Sequence, residues 1–252
     1  YYHRINDYLA RAGYFCSQGE YVCDTLVLHP IGSVWATFAR QKGRPLSSRY
    51  DAALRELQEC LFKAQVPFDY GDELIMEEHA KVVEDDSKTY LQIGSGRYSV
   101  VIVPPSLSWS STTFELLKAF VKRGGKLIFV GELPSLVSGE ADTARWQQLF
   151  QAETVTLLTD EQPQLIASLA ELCQRPFEIK GTGGCDIMFQ VRKEKECWYL
   201  FITNTNREIS HSVTVTAPSV GHVFRCDFET GAITEVCFRT RDFAIFHKFW
   251  TF

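Results

Sequence analysis

Hydrophobic and polar positions along the first two-thirds of the chain alternate between two kinds of segment. Short continuous apolar runs, typical of strands buried on both faces, begin near Thr25, Phe68, Val100 and Leu127. Between them lie segments in which apolar residues recur every three or four positions, as in the helix predicted over 49–65. Buried strands that alternate with helices predict a doubly wound α/β domain with a mostly parallel sheet covered on both faces.

The segment after the strand near Val100 predicts a sharp stop followed by a helix. Pro104 and Pro105 end the strand, and apolar spacing predicts a helix over 112–123. Gly124 is well placed for a left-handed cap at the end of that helix. At its start, the capping residue is expected to be one of three hydroxyl side chains, Ser110, Ser111 or Thr112.

The pattern changes near residue 175 to strict alternation between polar and apolar residues. Short alternating runs at about ten-residue spacing predict a small all-β sandwich over 175–252, truncated at its C-terminus, after an α/β domain over 1–174. Residues 192–196 read as a hairpin tip. In the turn over 227–231, Asp227 can accept backbone hydrogen bonds and Gly231 can take a positive φ.

Composition and charge exclude several classes of partner. The 252 residues carry a formal net charge of −5, so no basic surface favours nucleic acid or an anionic membrane. No apolar run approaches the length of a membrane span, and no signal peptide is recognisable. The chain begins inside a predicted helix and ends inside a predicted strand, so we expect it to belong to a longer protein. We expect that protein to be cytoplasmic.

The metal-ligating residue types are not spaced as ligands. Eight cysteines occur without the short spacing of a zinc site, so most are expected to be buried thiols in a reducing compartment. The acidic residues over 72–86 are expected to form the solvated face of a helix, because nothing spaces them like a calcium loop. We therefore predict no metal and no cofactor.

The serine-rich loop over 106–111 lies where an α/β domain would carry a catalytic group, yet it lacks the pattern of one. A nucleophile elbow needs small residues on both sides of the nucleophile, and large residues flank these serines. Of the histidines, only His29 lies at a predicted strand end in the α/β part. Gly94 and Gly96 precede a strand instead of opening a helix, which argues against a dinucleotide site. We predict no catalytic residue here.

The order of these blocks resembles a known arrangement. "VCDTLVLHPIGSVWATF" (22–38), "YDAALRELQECLFKAQVPFDYGDE" (50–73) and "LQIGSGRYSVVIVPPSLSWSSTTFELLKAFVKRGGKLIFVGELP" (91–134) resemble the class I glutamine-amidotransferase-like, flavodoxin-like domain behind the catalytic barrel of several large glycoside hydrolases. These include the family 42 β-galactosidases, where it is the trimerisation domain, and the family 106 α-L-rhamnosidases, which the chain resembles more closely in pattern. "CWYLFITNTNREISHSVTVTAP" (197–218) and "CDFETGAITEV" (226–236) resemble the β-sandwich that follows it.

The resemblance implies a supporting role. The catalytic acids of those enzymes lie on the barrel, which this sequence does not contain, so none can be carried over. The amidotransferase fold would place a cysteine after the strand near Val100, and this sequence has serines there. The implied partners are the catalytic barrel of the same parent chain and other copies of it in a homo-oligomer. Carbohydrate substrate would be contacted only indirectly.

Two functions from different classes remain open at this point. The first is a non-catalytic ancillary segment of a glycoside hydrolase, and the second is a stand-alone ligand-binding module or small hydrolase that uses the α/β cleft. For the first, the segments after two parallel strands should meet at the carboxyl edge of the sheet. We expect a docking or cleft-rim surface there, formed by His29, Trp35, Ser108 and Trp109. The alternative is that both tryptophans are core residues.

Overall fold

The structure, a computed structural model, describes residues 2–38, 45–86, 88–181, 186–217, 221–236 and 242–246. Its contacts divide the chain into two compact units, residues 23–174 and residues 1–22 together with 175–252. Our sequence-based division placed 1–22 in the α/β domain, and the structure groups them with the later residues instead. The physical reason is strand pairing: residues 20–21 add a short antiparallel strand beside residues 192–193.

Helices and strands follow one another along the described residues in the following order. The helices are α1 (Tyr2–Cys16), α2 (Ile31–Thr37), α3 (Pro45–Lys63), α4 (Glu73–His79), α5 (Ser111–Lys122), α6 (Thr143–Phe150) and α7 (Gln162–Leu172). The strands are β1 (Glu20–Tyr21), β2 (Thr25–Leu28), β3 (Asp69–Gly71), β4 (Ala80–Asp85), β5 (Lys88–Ile93), β6 (Gly96–Tyr98), β7 (Val100–Val103), β8 (Ser108–Trp109), β9 (Lys126–Val130), β10 (Leu136–Val137), β11 (Glu140–Ala141), β12 (Val155–Leu158), β13 (Glu178–Gly181), β14 (Ile187–Glu194), β15 (Cys197–Asn204), β16 (Ser212–Thr216), β17 (Val223–Cys226), β18 (Ile233–Val236) and β19 (Asp242–Phe246).

A five-stranded sheet forms the centre of the 23–174 unit. Its strand order is β12-β9-β7-β2-β3, and every neighbouring pair is parallel. All four residues of β2 and all four of β7 are buried, as their continuous apolar sequence requires of strands covered on both faces. The predicted strands near Thr25, Phe68, Val100 and Leu127 are all present, and the predicted α/β class is confirmed.

Alternate strand residues enter two separate cores, one on each face of this sheet. Leu26, Val101 and Phe129 pack in a cluster that includes side chains of α5 and α6, among them Phe114 and Trp146. The intervening residues pack instead against α3 and α7, in a cluster that contains Val27, Ile102, Ile128, Leu57, Leu61, Leu165 and Leu169. Because side chains alternate across a strand, one sheet supplies both layers, and the arrangement is doubly wound.

The acidic stretch over 72–86 is not the single solvated helix that we predicted. Only α4 is helical, and Asp72 caps it by accepting hydrogen bonds from the backbone N–H groups of Leu74 and Ile75. The chain then continues as β4, the first strand of a small antiparallel sheet in the order β4-β5-β6. The acidic side chains of β4 face basic partners there, as in the 2.6 Å ion pair between Asp85 and Arg97. Strand pairing therefore overrides the charge pattern.

Both ends of α5 follow the predicted capping chemistry. Of the three candidate hydroxyls, Ser110 is the N-cap, and its Oγ accepts a hydrogen bond from the backbone N–H of Thr113 at 3.1 Å. At the other end, Gly124 has a φ of +89°, a conformation that favours glycine and ends the helix before β9. These caps fix where the helix begins and ends.

The unit formed by 1–22 and 175–252 contains small antiparallel sheets. Their strand orders are β1-β14-β15, β13-β16-β19 and β17-β18. Side chains of the first two sheets share one apolar cluster, with buried members Phe177, Ile179, Ile187, Val191, Val213 and Val215. The predicted turns are present: residues 195–196 join β14 to β15, Asp227 Oδ1 accepts hydrogen bonds from two backbone N–H groups, and Gly231 has a φ of +78°.

A half-buried carboxyl group at the amino edge of the parallel sheet gives the fold a testable pH dependence. Asp24 lies directly before β2 and accepts hydrogen bonds from the hydroxyls of Ser99, at 3.0 Å, and Thr25, at 3.4 Å. Burial raises the pKa of Asp24 above its ordinary value of 3.8. The folded state thus favours the protonated form, so this residue stabilises the fold below pH 3.8 and loses that contribution as pH rises through the raised pKa.

We therefore expect Asp24→Asn to raise the melting temperature at pH 7, because the amide keeps hydrogen-bonding capacity without a charge to bury. The difference from the native chain should shrink as pH falls toward 3, where the native carboxyl is also neutral. Thermal unfolding of both proteins across this pH range measures the effect. A variant less stable than the native chain at pH 7 would show that the charged form is favoured instead.

Candidate functional site

The strand order locates the place where a ligand would bind in this fold. The chain runs from β2 to β3 on one side and, after returning to β7, from β7 to β9 on the other, so the strand order reverses between β2 and β7. In open α/β sheets, ligands bind in the crevice at the carboxyl ends of two such strands. Here that crevice is bordered by α2, which follows β2, and by the loop with β8, which follows β7. Of the four residues that we predicted for a docking surface, Trp35 lies on α2, Ser108 and Trp109 form β8, and His29 lies between β2 and α2.

The chain's own hydrogen bonds close this crevice. The hydroxyl of Ser33, on α2, donates to the carbonyl of Ser108 at 3.0 Å. The same oxygen accepts from the backbone N–H groups of Leu107 and Ser108, each at 3.0 Å. Ser33 is completely buried. One side chain thus saturates the backbone groups that would otherwise face a ligand across the switch point.

A second side chain continues this seal. The carboxylate of Glu73, at the start of α4 and buried, accepts a 2.7 Å hydrogen bond from the backbone N–H of Ser110. Gly32 lies so close that a Cβ added to it would be 3.0 Å from Glu73 Oε1. The first turn of α2, the first turn of α4 and the loop after β8 are therefore in direct contact. Neither Ser33 nor Glu73 was predicted as a site residue, because nothing in the neighbouring sequence distinguishes them from surface residues.

Trp109 is a core residue, which corrects our expectation that it belongs to a surface. Its side chain is 1% exposed, and its indole N–H donates to the hydroxyl of Ser106 at 2.9 Å. The parallel pairing of β8 with β10 holds this segment against the chain, and the ring joins the apolar cluster beside Phe114. Ser106 is itself fully buried, so its hydroxyl is a structural acceptor and is not placed to act as a nucleophile.

The other predicted docking residues have different environments. Ser108 is buried, and its Oγ accepts a hydrogen bond from the N–H of Gly139 at 3.1 Å. His29 is half-buried, and its ring lies 6.3 Å from that of Tyr70, edge to face. Trp35 is 65% exposed. The structure brings α2 and β8 together as predicted, but only the α2 side presents an aromatic ring to solvent.

Trp35 is not the only apolar side chain exposed on the described elements at this edge of the sheet. Tyr70 lies at the end of β3, and Leu74 and Ile75 lie on α4 directly after it; all three are exposed. The backbone N–H of His29 donates to the carbonyl of Gly71, which ties the start of the α2 segment to the end of β3. We call Trp35, Tyr70, Leu74 and Ile75 the carboxyl-edge face. It is an apolar surface and not a chemical site.

The cysteines of the described residues are free, and their environments are varied. Burial raises the pKa of Cys23 and of Cys173 to about 12, so neither supplies a thiolate at neutral pH. Cys60 and Cys173 are buried, whereas Cys197 is exposed and Cys16, Cys23 and Cys226 are half-buried. Our expectation that most cysteines are buried is therefore wrong for the described part of the chain; Cys185 and Cys237 lie outside it.

Elsewhere in the described part of the chain, few side chains are placed to bind a metal ion or to act in catalysis. Within them, no cluster of three or more His, Cys, Asp or Glu side chains could hold a metal ion. A small pocket lies beside α3 and α7 and is lined mainly by apolar groups. The exposed acids Glu56 and Asp160 also line it. Its one thiol, Cys60, has a pKa raised by burial. Apart from the two acids and this thiol, the lining offers no ionisable side chain.

Known proteins are similar to this chain in fold but not in sequence. No family model and no curated protein matches the chain. Among solved structures, a β-galactosidase from Bacillus circulans sp. alkalophilus matches with a TM-score of 0.61 and 13% identity, over 95% of this chain and 42% of that one. A GH42 β-galactosidase from G. stearothermophilus matches at 0.56 and 15%, over 90% and 39%. An exo-carrageenase GH42 from Bacteroides ovatus matches at 0.56 and 11%, over 95% and 30%.

At these identities the similarity shows a shared fold, and the fold is one found within GH42 glycoside hydrolases. The chain spans less than half the length of each of the three structures. The matched region is therefore a segment of each of those proteins. In the part of the chain that the structure describes, no helix has both the length and the apolar character needed to cross a bilayer.

Proposed function

We propose that this chain is a non-catalytic ancillary segment of a glycoside hydrolase, which supports a catalytic barrel in the same parent chain. The observation that carries the proposal is the closed crevice: Ser33 and Glu73 occupy the switch point with internal hydrogen bonds. Because the domain's own side chains fill the position where a ligand would bind, we assign it a scaffolding role. The structural neighbours support the same conclusion, because GH42 chains contain this fold as less than half of their length.

The carboxyl-edge face is the surface that we assign to docking. Large apolar groups exposed together favour association, and Trp35 is of the residue type most often found at the centre of contacts. We propose that Trp35, His29 and Tyr70 lie against the catalytic barrel or at the rim of its cleft. Ser108 and Trp109 hold this edge from inside. Carbohydrate would meet this chain only where that rim borders the barrel.

The finer relationship and the setting of the parent protein are also proposals. The segments quoted above support a glutamine-amidotransferase-like domain followed by a β-sandwich, in a parent enzyme of the family 106 or family 42 kind. A homo-oligomeric parent is part of the same proposal. The free cysteines of the described residues support a reducing, cytoplasmic location.

A stand-alone ligand-binding module or small hydrolase that uses the α/β cleft was the other function left open by the sequence. It needs an accessible group at the carboxyl ends of β2 and β7. Ser33, in the segment after β2, and Ser106, in the segment after β7, are both completely buried and hydrogen-bonded. No observation favours this second function.

We expect the purified 252-residue chain to have no glycosidase activity. Glycoside hydrolysis normally needs two carboxyl groups at a fixed separation around the scissile bond, and we assign that pair to the barrel. Assays on a panel of aryl glycosides, including β-galactosides and α-L-rhamnosides, measure this directly. Turnover that disappears when one Asp or Glu of this chain is replaced would contradict the proposal, whereas turnover that survives every such replacement would identify a contaminant.

A further inference from the structure

Helix α1 has one face held by other residues of the chain and one face that no described residue covers. The held face is built from residues spaced three and four apart. Arg11 Nη1 donates to the carbonyls of Phe228 and Glu229, at 2.9 Å each. The rings of Tyr8 and Phe15 each meet that of Phe228 edge to face. These contacts dock the helix, yet no residue of α1 is buried.

The uncovered face is apolar and has the spacing of a helix-pairing seam. Tyr2, Ile5 and Leu9 are 83%, 49% and 59% exposed. Their spacing of three and four residues continues through Ala12 and Cys16, which are half-buried, and this spacing places all five on one stripe of the helix. A stripe with this spacing is suited to receive a second helix rather than a loop or a sheet.

Gly13 gives this face an unfilled groove. Glycine inside a helix lowers helix stability relative to alanine, so it needs a reason to be there. Within the described chain there is none, because a Cβ added to Gly13 would meet no atom within 4 Å. The residue is exposed and lies beside the apolar stripe. A glycine of this kind is suited to the close approach of a side chain from another molecule.

The large and small residues of the stripe are arranged so that the helix complements itself. Leu9 is the central residue of α1, which runs from Tyr2 to Cys16. If two copies pair antiparallel about a twofold axis at Leu9, Tyr2 of one lies opposite Cys16 of the other, and Ile5 lies opposite Gly13. Bulky side chains in the first half therefore meet small ones in the second half. This is the self-complementarity that a twofold interface requires.

The positions of the charged side chains on α1 are compatible with the pairing of two α1 helices. The ionisable side chains of α1 other than Cys16 and the tyrosines are His3, Arg4, Asp7 and Arg11. At 100° per residue, all four lie more than a quarter-turn from the centre of the stripe. Identical copies can therefore meet along it without like-charge repulsion.

We propose that this chain forms a dimer by antiparallel pairing of α1 with α1 of a second copy, with Leu9 at the twofold axis. The partner is thus another molecule of the same protein. A 15-residue helix is about 22 Å long, so the paired surface is smaller than that of a standard stable interface. We expect a dissociation constant on the order of 10 µM. The inference does not depend on the proposed function.

Analytical ultracentrifugation of the 252-residue chain over a range of concentrations tests this. The weight-average mass should rise from 28.7 kDa toward twice that value. Leu9→Glu places two carboxylates face to face at the axis and should raise the dissociation constant more than ~30-fold. Gly13→Leu should do the same by filling the groove for Ile5, while its side chain meets open space in the single chain. Circular dichroism establishes that each variant is folded.

Tyr14→Glu is the matched control, because Tyr14 is 71% exposed on the same helix but on the side away from the stripe. It should leave the dimer unchanged. A chain that stays at 28.7 kDa at roughly 0.1 mM overturns the proposal. So does a dimer that survives Gly13→Leu, or one that Tyr14→Glu also abolishes, since either result places the interface elsewhere.

Discussion

Replacing Trp109 with alanine is expected to lower the free energy of unfolding by about 3–5 kcal/mol. The indole is almost completely buried in the cluster that joins the parallel sheet to α5 and α6, so its removal leaves a large cavity. It also leaves the buried hydroxyl of Ser106 without the donor that it now has at 2.9 Å. Urea-induced unfolding followed by circular dichroism measures the difference between the two proteins.

Trp35→Ala is the matched control for this experiment. Trp35 is 65% exposed, and surface replacements of this kind usually change stability by less than about 0.5 kcal/mol. The pair of variants therefore separates the two tryptophans that one sequence pattern had placed on the same surface. Equal losses of stability in the two variants would mean that Trp35 is packed as deeply as Trp109.

Ser33→Ala is expected to lower the free energy of unfolding by about 2–4 kcal/mol, although it removes a single oxygen atom. That oxygen satisfies two backbone N–H groups and one carbonyl in the sealed crevice, all within 3.0 Å. Alanine leaves these groups buried without partners, and each such group costs about 1–3 kcal/mol before the surroundings relax. Thermal or urea unfolding measures the loss.

Ser111→Ala provides the comparison at an exposed serine in the same region, and it should change stability by less than about 0.5 kcal/mol. If Ser33→Ala is equally mild, the seal between α2 and β8 does not hold the crevice closed. The basis of the proposed scaffolding role would then be lost, because an open switch point could admit a ligand.

The parallel sheet could be predicted from the sequence because the residues that determine each strand are neighbours in the chain. Each of β2, β7 and β9 is a continuous apolar run bounded by polar or turn residues, and such a run needs burial on both faces wherever it lies. The caps of α5 were equally accessible, since Ser110 and Gly124 act on backbone groups within a few residues. Burial of apolar runs and helix capping by neighbouring residues can therefore be predicted without a structure.

The closed crevice could not be predicted, because its contacts join distant residues. Ser33 meets Ser108 across 75 positions, and Glu73 meets Ser110 across 37. In sequence, a serine on a short helix and a glutamate at a helix start look like ordinary surface residues. The same limit applies to two other long-range features, the pairing of residues 20–21 with β14 and the pairing of the segment that contains Trp109 with β10.

The acidic segment shows a different limit. Seven acidic residues over 72–86 suggested one solvated helix, but the valines of β4 pair with β5 in an antiparallel sheet. Val82 and Val83 favour a strand, and cross-strand pairing decides the outcome once a partner strand is available. Charge patterns therefore indicate exposure more securely than they indicate secondary structure.

The reading frame that encodes this chain tests the central claim most directly. If the chain is an ancillary segment of a glycoside hydrolase, sequencing upstream of the codon for Tyr1 should reveal several hundred residues in the same frame. Those residues should alternate strands and helices as a barrel requires, with two acidic residues at strand ends. An initiator methionine directly before Tyr1 would contradict the account, because the chain would then be a complete protein without a catalytic partner in its own polypeptide.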